Sequence, residues 1–420
     1  MNAYVKRDLY LNRLIVRRDN GQIKAITGPR RSGKSFLLDP IYKDYLISKG
    51  VPEDNIIIIS FDIEDEDTPQ ELLDREKLKE YLYSKIALQT ENYYVFLDEI
   101  QEVDGFERIV NGLNKRQNVD VYVTGSNSKF LSSEINTIFR GRSDEVSVLP
   151  FTFREFCQDR QESVNDLWKE YYTYGGLPAL RKMPTAEQKT TYLQKLWKKT
   201  YLDDVVERHN VENREALEAI ADALCSSIGS LTNTTRITNT LGSVRKIKIT
   251  DDTVAKYIGY LEEAFLFNEA RRYNIKGNRY YENIKKYYSI DVGLRNARLN
   301  YRQLEQTHLM ENIIFNELLY RGYVVDVGVV EHRKMVDGKS EYKQYEVDFI
   351  ATDGHEKYYI QSAYEIETEE KREQELNSLK RIDDSFRKIV IVKDDIMPYM
   401  DNNGILFTGL FQFLFSDKFA

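Results

Sequence analysis

The sequence has few of the residues that build disulfide frameworks and zinc sites. Its 420 residues include only two cysteines, Cys157 and Cys225, and four histidines. The cysteines are too few for a disulfide framework and lack metal-ligand spacing. The histidines are scattered along the chain and form no zinc signature (His209, His308, His332 and His355). The sequence therefore argues against a disulfide-rich scaffold and against a zinc-finger protein.

Long apolar runs are also lacking. Residues 1–14 do not contain the apolar segment of a signal peptide, and no stretch approaches the roughly 20 apolar residues of a membrane span. We therefore expect a cytoplasmic protein. The net charge of −8 does not favour polyanion binding by the whole molecule, although a basic patch can still occur locally. The length predicts two or three domains.

The first part of the chain carries the pattern of a doubly wound α/β domain. After a basic N-terminal helix over residues 1–20, five short apolar runs follow (22–27, 55–62, 93–100, 119–126 and 145–150). Runs this short and continuous are typical of parallel strands covered on both faces, with helical connections between them. We therefore predict an α/β domain over residues 1–150.

The later parts of the chain have different patterns. Residues 151–214 are helical, with a break at Gly175-Gly176-Leu177-Pro178, and we interpret them as a helical lid or linker. Residues 215–304 contain three helical segments followed by a strand pair around 276–278, which predicts a winged helix. Residues 305–420 alternate between helix and strand, which predicts a small C-terminal α/β domain.

A complete phosphate-loop motif, G-x-x-x-x-G-K-[ST], lies between the first strand and the following apolar helix. Its residues are Gly28, Pro29, Arg30, Arg31, Ser32, Gly33, Lys34 and Ser35. In this context the glycine-rich backbone and the helix N-terminus bind phosphate groups. We expect Lys34 to contact the β- and γ-phosphates of ATP, and the hydroxyl of Ser35 to hold Mg²⁺.

A second motif lies in the third apolar run, where the strand Tyr93–Leu97 ends in Asp98 and Glu99. Asp98 is expected to take part in Mg²⁺ binding, and Glu99 to orient and deprotonate the attacking water. One apolar run, 55–62, lies in the sequence between the phosphate-loop strand and this acidic strand. The order predicts the additional-strand type of P-loop ATPase and favours hydrolysis over phosphoryl transfer to another substrate.

Two further features could complete an ATPase site. The strand segment 121–127 carries Ser126 near its end, which we interpret as a polar sensor of the γ-phosphate, with Asn127 as the alternative. Arg140 and Arg142 precede the fifth strand, and Arg142 could act as a catalytic arginine finger for a neighbouring subunit in a homo-oligomer. Both arginines could equally be solvated loop charges.

The ordered motifs resemble one family. GPRRSGKS, FLDEIQ, VTGSNSKFL, FRGR, LPFTFREF and YGGLP occur in this order over most of the chain. The set resembles the large prokaryotic family of AAA-type ATPases with a C-terminal domain of unknown function. The resemblance implies an AAA domain, a helical and winged-helix middle, and a C-terminal domain similar to restriction endonucleases.

The endonuclease-like pattern can be compared with the C-terminal residues. It requires an acid on a helix, an aspartate on a strand and an acid-x-lysine on the next strand. The candidates are Glu311 or Glu317, then Asp348, then Gln361, but Ala363 stands where the pattern has lysine. Without that lysine the developing charge of phosphodiester cleavage is not stabilised. We therefore expect a retained fold with nuclease activity lost.

A local basic excess lies in the predicted winged helix. Residues 236–286 contain eleven Lys or Arg against six Asp or Glu. This favours DNA binding, while the alternative is a solvated face that packs within the protein. Three functions remain open: an ATPase coupled to DNA, a nucleotide-controlled signalling or scaffold protein with a protein partner, and an ATP-regulated nuclease.

Overall fold

A computed structural model describes residues 4–62, 70–86, 88, 90–125, 137–139, 141–336, 339–366, 368–417 and 419. The chain divides into two compact units. The first contains residues 1–150 together with 263–265, and the second contains residues 151–262 and 266–420.

The first unit is built on a parallel sheet, as predicted. Its strands are β1 (Ile23–Thr27), β2 (Ile56–Ser60), β3 (Tyr93–Asp98), β4 (Val119–Thr124) and β5 (Ser143–Ser147), in the order β2-β3-β4-β1-β5. Strand β4 therefore lies between the phosphate-loop strand β1 and the acidic strand β3. All residues of β1, β3 and β4 are buried, as expected for central strands covered on both faces. The predicted additional-strand arrangement is confirmed.

The first helix of the first unit precedes β1, and the other helices lie in the connections between strands. The helices are α1 (Asp8–Arg17), α2 (Lys34–Phe36), α3 (Lys43–Ser48), α4 (Arg75–Lys85) and α5 (Phe106–Leu113), with a wide turn over Leu37–Tyr42 and single turns over Glu53–Asn55, Gln70–Leu73 and Ile100–Glu102. Helix α4 begins after Asp74, whose carboxylate accepts the backbone N–H groups of Glu76 and Lys77. Apolar residues from α4, α5 and the strands form one buried core, including Leu78, Leu82, Val95, Val110 and Val121.

The second unit begins with helices. They are α6 (Phe153–Cys157), α7 (Val164–Tyr174), α8 (Ala186–Lys195), α9 (Asp203–Arg208), α10 (Arg214–Ser226), α11 (Thr234–Thr240), α12 (Asp251–Glu263) and α13 (Val292–Arg298), with turns over Pro178–Lys182, Leu196–Leu202 and Leu241–Arg245. Later in the chain come α14 (Gln306–Arg321), α15 (Glu369–Leu379) and α16 (Leu410–Phe415).

A mixed sheet crosses most of the second unit. Its strands are β6 (Phe267–Asn274), β7 (Arg279–Ser289), β8 (Val324–Val336), β9 (Lys339–Thr352), β10 (Lys357–Ala363), β11 (Arg387–Val392), β12 (Tyr399–Met400) and β13 (Ile405–Gly409). Their order is β12-β13-β11-β10-β9-β8-β6-β7. The predicted C-terminal α/β pattern is present, and β12, β13 and α16 are additions that the sequence pattern did not indicate.

The hairpin β6–β7 was assigned from sequence to a winged helix. In the structure β6 pairs in parallel with β8, with Tyr273 opposite Gly328, so the hairpin extends the C-terminal sheet. The sheet is therefore continuous across the boundary that we placed at residue 304. Strand pairing over such a long sequence separation is not visible in local periodicity, which explains the different segmentation.

The predicted break at Gly175 and Gly176 is a closely packed corner. A Cβ atom on Gly176 would lie 2.1 Å from the carbonyl oxygen of Phe151, and one on Gly293 would lie 1.8 Å from that of Tyr174. The side chain of Asp291 accepts hydrogen bonds from the N–H groups of Gly176 (2.7 Å) and Leu294 (3.0 Å). This corner thus joins the end of α7 to the start of α13.

Candidate active site in the first unit

The phosphate loop leaves β1 in a conformation that requires glycine. Gly28 has φ +133°, and a Cβ atom there would lie 2.2 Å from the carbonyl oxygen of Val148. Gly33 has φ +92°, and Arg31 also has positive φ (63°). Since L side chains rarely adopt these angles, the two motif glycines are explained by backbone geometry.

Lys34 is buried inside this loop, with 4% of its surface exposed. Its ammonium donates to the carbonyl oxygens of Gly28 and Pro29, both at 3.1 Å, and lies 3.9 Å from the carboxylate of Glu99. Burial lowers the pKa of Lys34, while the nearby carboxylates of Glu99 and Asp98 act in the opposite direction. The ammonium is thus held mainly by neutral carbonyl groups of its own loop.

Asp98 is the centre of a hydroxyl–carboxylate cluster at the end of β3. Its Oδ1 accepts hydrogen bonds from Ser35 Oγ (2.9 Å) and Thr124 Oγ1 (2.5 Å). Burial raises the pKa of Asp98, and these two hydroxyl hydrogen bonds lower it. Hard oxygen donors of this kind suit Mg²⁺, so the residues present fit the ion that the motif implies.

Glu99 is positioned by the residues around it rather than by the strand. Its backbone is left-handed (φ 50°, ψ 42°), and its N–H donates to Thr124 Oγ1 at 2.9 Å. Gln101 Nε2 contacts one carboxylate oxygen of Glu99 at 2.5 Å, and the other oxygen is the one nearest Lys34. A non-glycine residue at positive φ is uncommon and is often found at functional sites.

Thr124 and Gln101 were missed as individual residues by the sequence analysis. Both lie inside the motifs that we quoted, VTGSNSKFL and FLDEIQ, but their roles depend on side-chain direction in the sheet. Thr124 ends β4, and because β4 neighbours β3 its hydroxyl reaches both Asp98 and Glu99. The order of strands was therefore the available signal.

Arg7, also missed, holds the phosphate loop from the N-terminal side. It is 3% exposed and donates to the carbonyl oxygens of Ser32 (3.0 Å) and Leu149 (2.7 Å). Its guanidinium lies 4.6 Å from the ring centre of Tyr10, whose hydroxyl accepts the N–H of Leu149. The loop is thus tied to the segment after β5. A basic residue before a helix carries no sequence signal for this contact.

Three of the remaining sequence candidates, Ser126, Asn127 and Arg140, lie outside the described residues. Arg142 is exposed, and its carbonyl oxygen accepts the N–H of Ile23 at 2.8 Å. Ile23 begins β1, whereas the phosphate loop follows the end of β1. Arg142 therefore lies at the amino-terminal end of β1, whereas Lys34 lies beyond its carboxyl-terminal end. The structure does not bring Arg142 to the candidate site of its own chain.

In the second unit the structure brings together Glu311, Asp348 and Gln361. Glu317 does not join them, since its carboxylate pairs with Arg321 at 2.8 Å. Ala363 is buried in the core beside β11. Over the ranges given above, no group of three or more His, Cys, Asp or Glu side chains is arranged to hold a metal ion.

The basic segment 236–286 is partly neutralised by acidic neighbours. Arg245 pairs with Asp222 (2.7 Å), Lys276 with Asp383 (3.0 Å) and Lys285 with Glu269 (2.5 Å). Lys286 is buried among carboxylates. Side chains that remain exposed include Arg236, Lys246, Lys248, Arg271 and Arg279.

The fold and the geometry of this site are those of a P-loop NTPase of the AAA type. A family described as an AAA domain matches residues 20–157, and one described as a domain of unknown function, DUF8612, matches residues 165–305. The second match lies in the middle of the chain rather than at its C-terminus. Among the described residues, no helix combines the length and apolar character needed to cross a membrane.

Two relatives match almost the entire chain or most of it. An uncharacterized protein of Haemophilus influenzae is 35% identical over 394 residues, covering 93% of each chain. The uncharacterized protein MJ1544 of Methanocaldococcus jannaschii is 30% identical over 366 residues, covering 84% of this chain and 77% of the relative. The chain belongs to the family that these two proteins represent. Within this chain, residues 20–157 match the AAA domain.

A solved structure shares the fold. The Walker-type ATPase PABY2304 of Pyrococcus abyssi is similar with a TM-score of 0.50 at 16% identity, and the match covers 70% of this chain and 96% of that one. At this identity the similarity concerns the fold.

Proposed function

We propose that the protein binds ATP with Mg²⁺ and hydrolyses it to ADP and phosphate. The observation that carries this proposal is that Lys34, Asp98 and Glu99 lie together at the carboxyl ends of the strands. Lys34 lies 3.9 Å from Glu99, and the hydroxyl of Thr124 contacts both Asp98 and the N–H of Glu99. Asp98 also accepts a hydrogen bond from Ser35. Parallel strands deliver their carboxyl ends to the same edge, which is where ligands bind in such sheets.

Each residue has a distinct task in this reaction. Lys34 exchanges its loop carbonyl partners for the β- and γ-phosphate oxygens. Ser35 and Asp98 would hold Mg²⁺, which would supply positive charge to the phosphate groups when bound. Glu99 orients a water molecule and accepts its proton as the water oxygen attacks the γ-phosphorus. The bond from that phosphorus to the β–γ bridging oxygen breaks, and ADP leaves. Gln101 holds the second oxygen of Glu99, which fixes the direction of the base.

We assign Arg142 to the same reaction only in an assembly. Since it lies at the far edge of its own sheet, a role as an arginine finger requires the γ-phosphate of a neighbouring copy. Unchanged turnover of Arg142→Ala in a confirmed oligomer contradicts this role. Ser126 is proposed as the sensor on its position directly after β4 and Gly125 in the sequence.

A second part of the proposal concerns the partner. We propose that DNA binds to the exposed basic residues of the second unit, including Arg236, Lys246, Lys248 and Arg279. The proposal is supported by the exposure of these basic side chains close to α11 and to the hairpin β6–β7. The ion pairs of Arg245, Lys276 and Lys285 reduce the available positive charge and favour the alternative, a protein partner whose binding is controlled by nucleotide.

The test is steady-state ATP hydrolysis by wild type and Glu99→Gln, with and without duplex or single-stranded DNA. We expect wild-type turnover and at least a roughly hundredfold loss in the variant, since a general base contributes about 10²–10⁴-fold. Binding of ATP by the variant should be retained. Normal turnover in Glu99→Gln contradicts the assigned base, and turnover that is indifferent to DNA favours the protein-partner alternative.

A further inference from the structure

Three carboxylates in the second unit surround a single ammonium group. They are Glu311 of α14 and Glu346 and Asp348 of β9, and we call them the carboxylate cluster. The Nζ of Lys286, on β7, lies 2.9 Å from Glu311, 2.8 Å from Glu346 and 3.8 Å from Asp348. Lys286 is 3% exposed. Residues from three elements far apart in sequence thus converge on one cation.

Glu311 and Asp348 are buried and Glu346 is half-buried, and carboxylates placed together in this way require a cation. Removing a carboxylate from water costs several kcal/mol unless a positive partner offsets it. A lysine ammonium has three donors, which matches the number of carboxylates around Lys286. Glu311 and Glu346 lie 2.9 and 2.8 Å from Lys286 Nζ, which are the distances of charge-assisted hydrogen bonds to an ammonium, whereas oxygen ligands lie about 2.0–2.6 Å from a divalent metal ion.

The surroundings of the cluster use its remaining oxygen atoms. Tyr288 Oη donates to Glu311 at 2.7 Å, and the N–H of Ser362 donates to Asp348 at 2.8 Å. Gln361 accepts the N–H of Asp348 at 3.4 Å and donates to Glu375 at 3.0 Å, so its amide is also occupied within the protein.

A close backbone approach covers the cluster from another side. A Cβ atom on Gly229 would lie 3.1 Å from the carboxyl atoms of Glu311, and the N–H of Gly229 contacts the carbonyl oxygen of Tyr287 at 3.3 Å. The segment after α10 therefore packs directly over the acidic side chain. Lys286, Glu311 and Asp348 therefore form a buried ion-pair network, and Glu346 lies at its partly exposed side.

We propose that the ammonium of Lys286 occupies the place of a divalent metal ion within the carboxylate cluster. The second unit therefore binds no divalent metal at this point and performs no metal-dependent cleavage of nucleic acid. The presence of Ala363, which leaves the acid-x-lysine pattern incomplete, agrees with this assignment. Among the described residues, the only lysine that contacts the cluster is Lys286 of β7, and it acts there as a counter-ion.

The experiment measures Mn²⁺ binding by calorimetry in the full-length chain without nucleotide. An Asp98→Asn background removes the carboxylate assigned to Mg²⁺ in the first unit. The parent should show no Mn²⁺ site that depends on Asp348. Lys286→Ala should gain one Mn²⁺ site per chain, at least about tenfold tighter than any residual Mn²⁺ binding by the parent, and adding Asp348→Asn should abolish that site. Lys286→Arg, which keeps the positive charge, is the matched control and should behave as the parent does.

Several outcomes overturn the proposal. One is Mn²⁺ binding in the parent that is lost with Asp348→Asn, and another is DNA cleavage by wild type that needs Asp348. A folded Lys286→Ala chain without a new Mn²⁺ site also contradicts it. If Lys286→Ala does not fold alone, the proposal expects Mn²⁺ to restore its folding, since metal binding and folding are coupled, and failure of millimolar Mn²⁺ to do so counts against it.

Discussion

Lys34 in the first unit and Lys286 in the second are both buried, with 4% and 3% of their surfaces exposed. Lys34 donates to two backbone carbonyl oxygens of its own loop, and burial lowers its pKa. Lys286 lies among three carboxylates. Burial alone would lower its pKa too, but Glu311, Asp348 and Glu346 raise it well above the usual range.

The difference separates a charge that awaits a ligand from one that is already neutralised. Carbonyl oxygens are dipoles and leave the net charge of Lys34 in place, so an incoming phosphate can be bound by exchange of partners. The three carboxylates around Lys286 more than offset its single charge, and removing the ammonium leaves them without a counter-ion. The same residue type at the same burial thus supports binding in one unit and stability in the other.

The largest effect is expected at Lys34. Replacement of Lys34 by Ala removes charge-assisted hydrogen bonds to two phosphate groups, each worth about 1.5–3 kcal/mol, so ATP affinity should fall by roughly 10²–10⁴-fold. A titration with a fluorescent ATP analogue measures this. Lys286→Met is the matched control and should keep wild-type affinity. Tight ATP binding by Lys34→Ala contradicts the assignment of the phosphate loop.

The next effect concerns stability, and here we expect the larger change in the Lys286 variant. Lys286→Met leaves the carboxylate cluster without its cation, and breaking a buried ion pair in this way costs on the order of 3–5 kcal/mol. Urea denaturation at pH 7 should show that loss in the unfolding of the second unit. Adding Glu311→Gln and Asp348→Asn should recover part of it. An unchanged urea midpoint in Lys286→Met would show that the cluster contributes no net stability.

The smallest effect comes from Asp291, a buried carboxylate held by backbone N–H groups. Burial raises its pKa to about 6, against an ordinary value of 3.8, although the N–H groups of Gly176, Leu294 and Gly293 lower it. Because the folded pKa is raised, this group's contribution to stability is complete below about pH 4 and is lost as the pH rises through 6. At about 1.4 kcal/mol per pKa unit the loss is about 3 kcal/mol.

The measurement is the free energy of unfolding of wild type and Asp291→Asn between pH 4 and 8. The Asn side chain does not titrate in this range, so the difference between the two curves isolates the carboxylate. Wild type should lose stability relative to the variant as the pH rises from 4 to 7. Parallel curves would mean that Asp291 is ionised throughout this range and that its N–H donors compensate fully for burial.

Much of the ATPase core was predictable because its signals are local. The loop from Gly28 to Ser35 is one contiguous motif, and Asp98 and Glu99 end a strand whose place follows from the order of apolar runs. Strands that are buried on both faces read as continuous apolar runs, so the five strands of the first unit were found within a few residues. The alternation of helix and strand in the C-terminal part was found from the same kind of local pattern, except for β12, β13 and α16.

The contacts that position the site were not predictable to the same degree. Arg7 reaches Ser32 and Leu149 across 25 and 142 residues of sequence, and no periodicity records such a contact. Lys286 was counted with a basic surface because the sequence shows its neighbours Arg279 and Lys285 but not Glu311 or Asp348. The hairpin β6–β7 was interpreted as a wing since its pairing with β8 is remote in sequence.

The sequence by itself determined the class of the protein, because phosphate binding needs a particular backbone path, and that path is written in adjacent residues such as Gly28, Gly33 and Lys34. Tertiary structure decided which charges are available. Whether a lysine faces carbonyls, carboxylates or solvent depends on side chains delivered by distant strands, and electrostatic energy depends on those distances and on burial. Lys34 and Lys286 are the same residue type, and they differ only in the groups that the fold places around them.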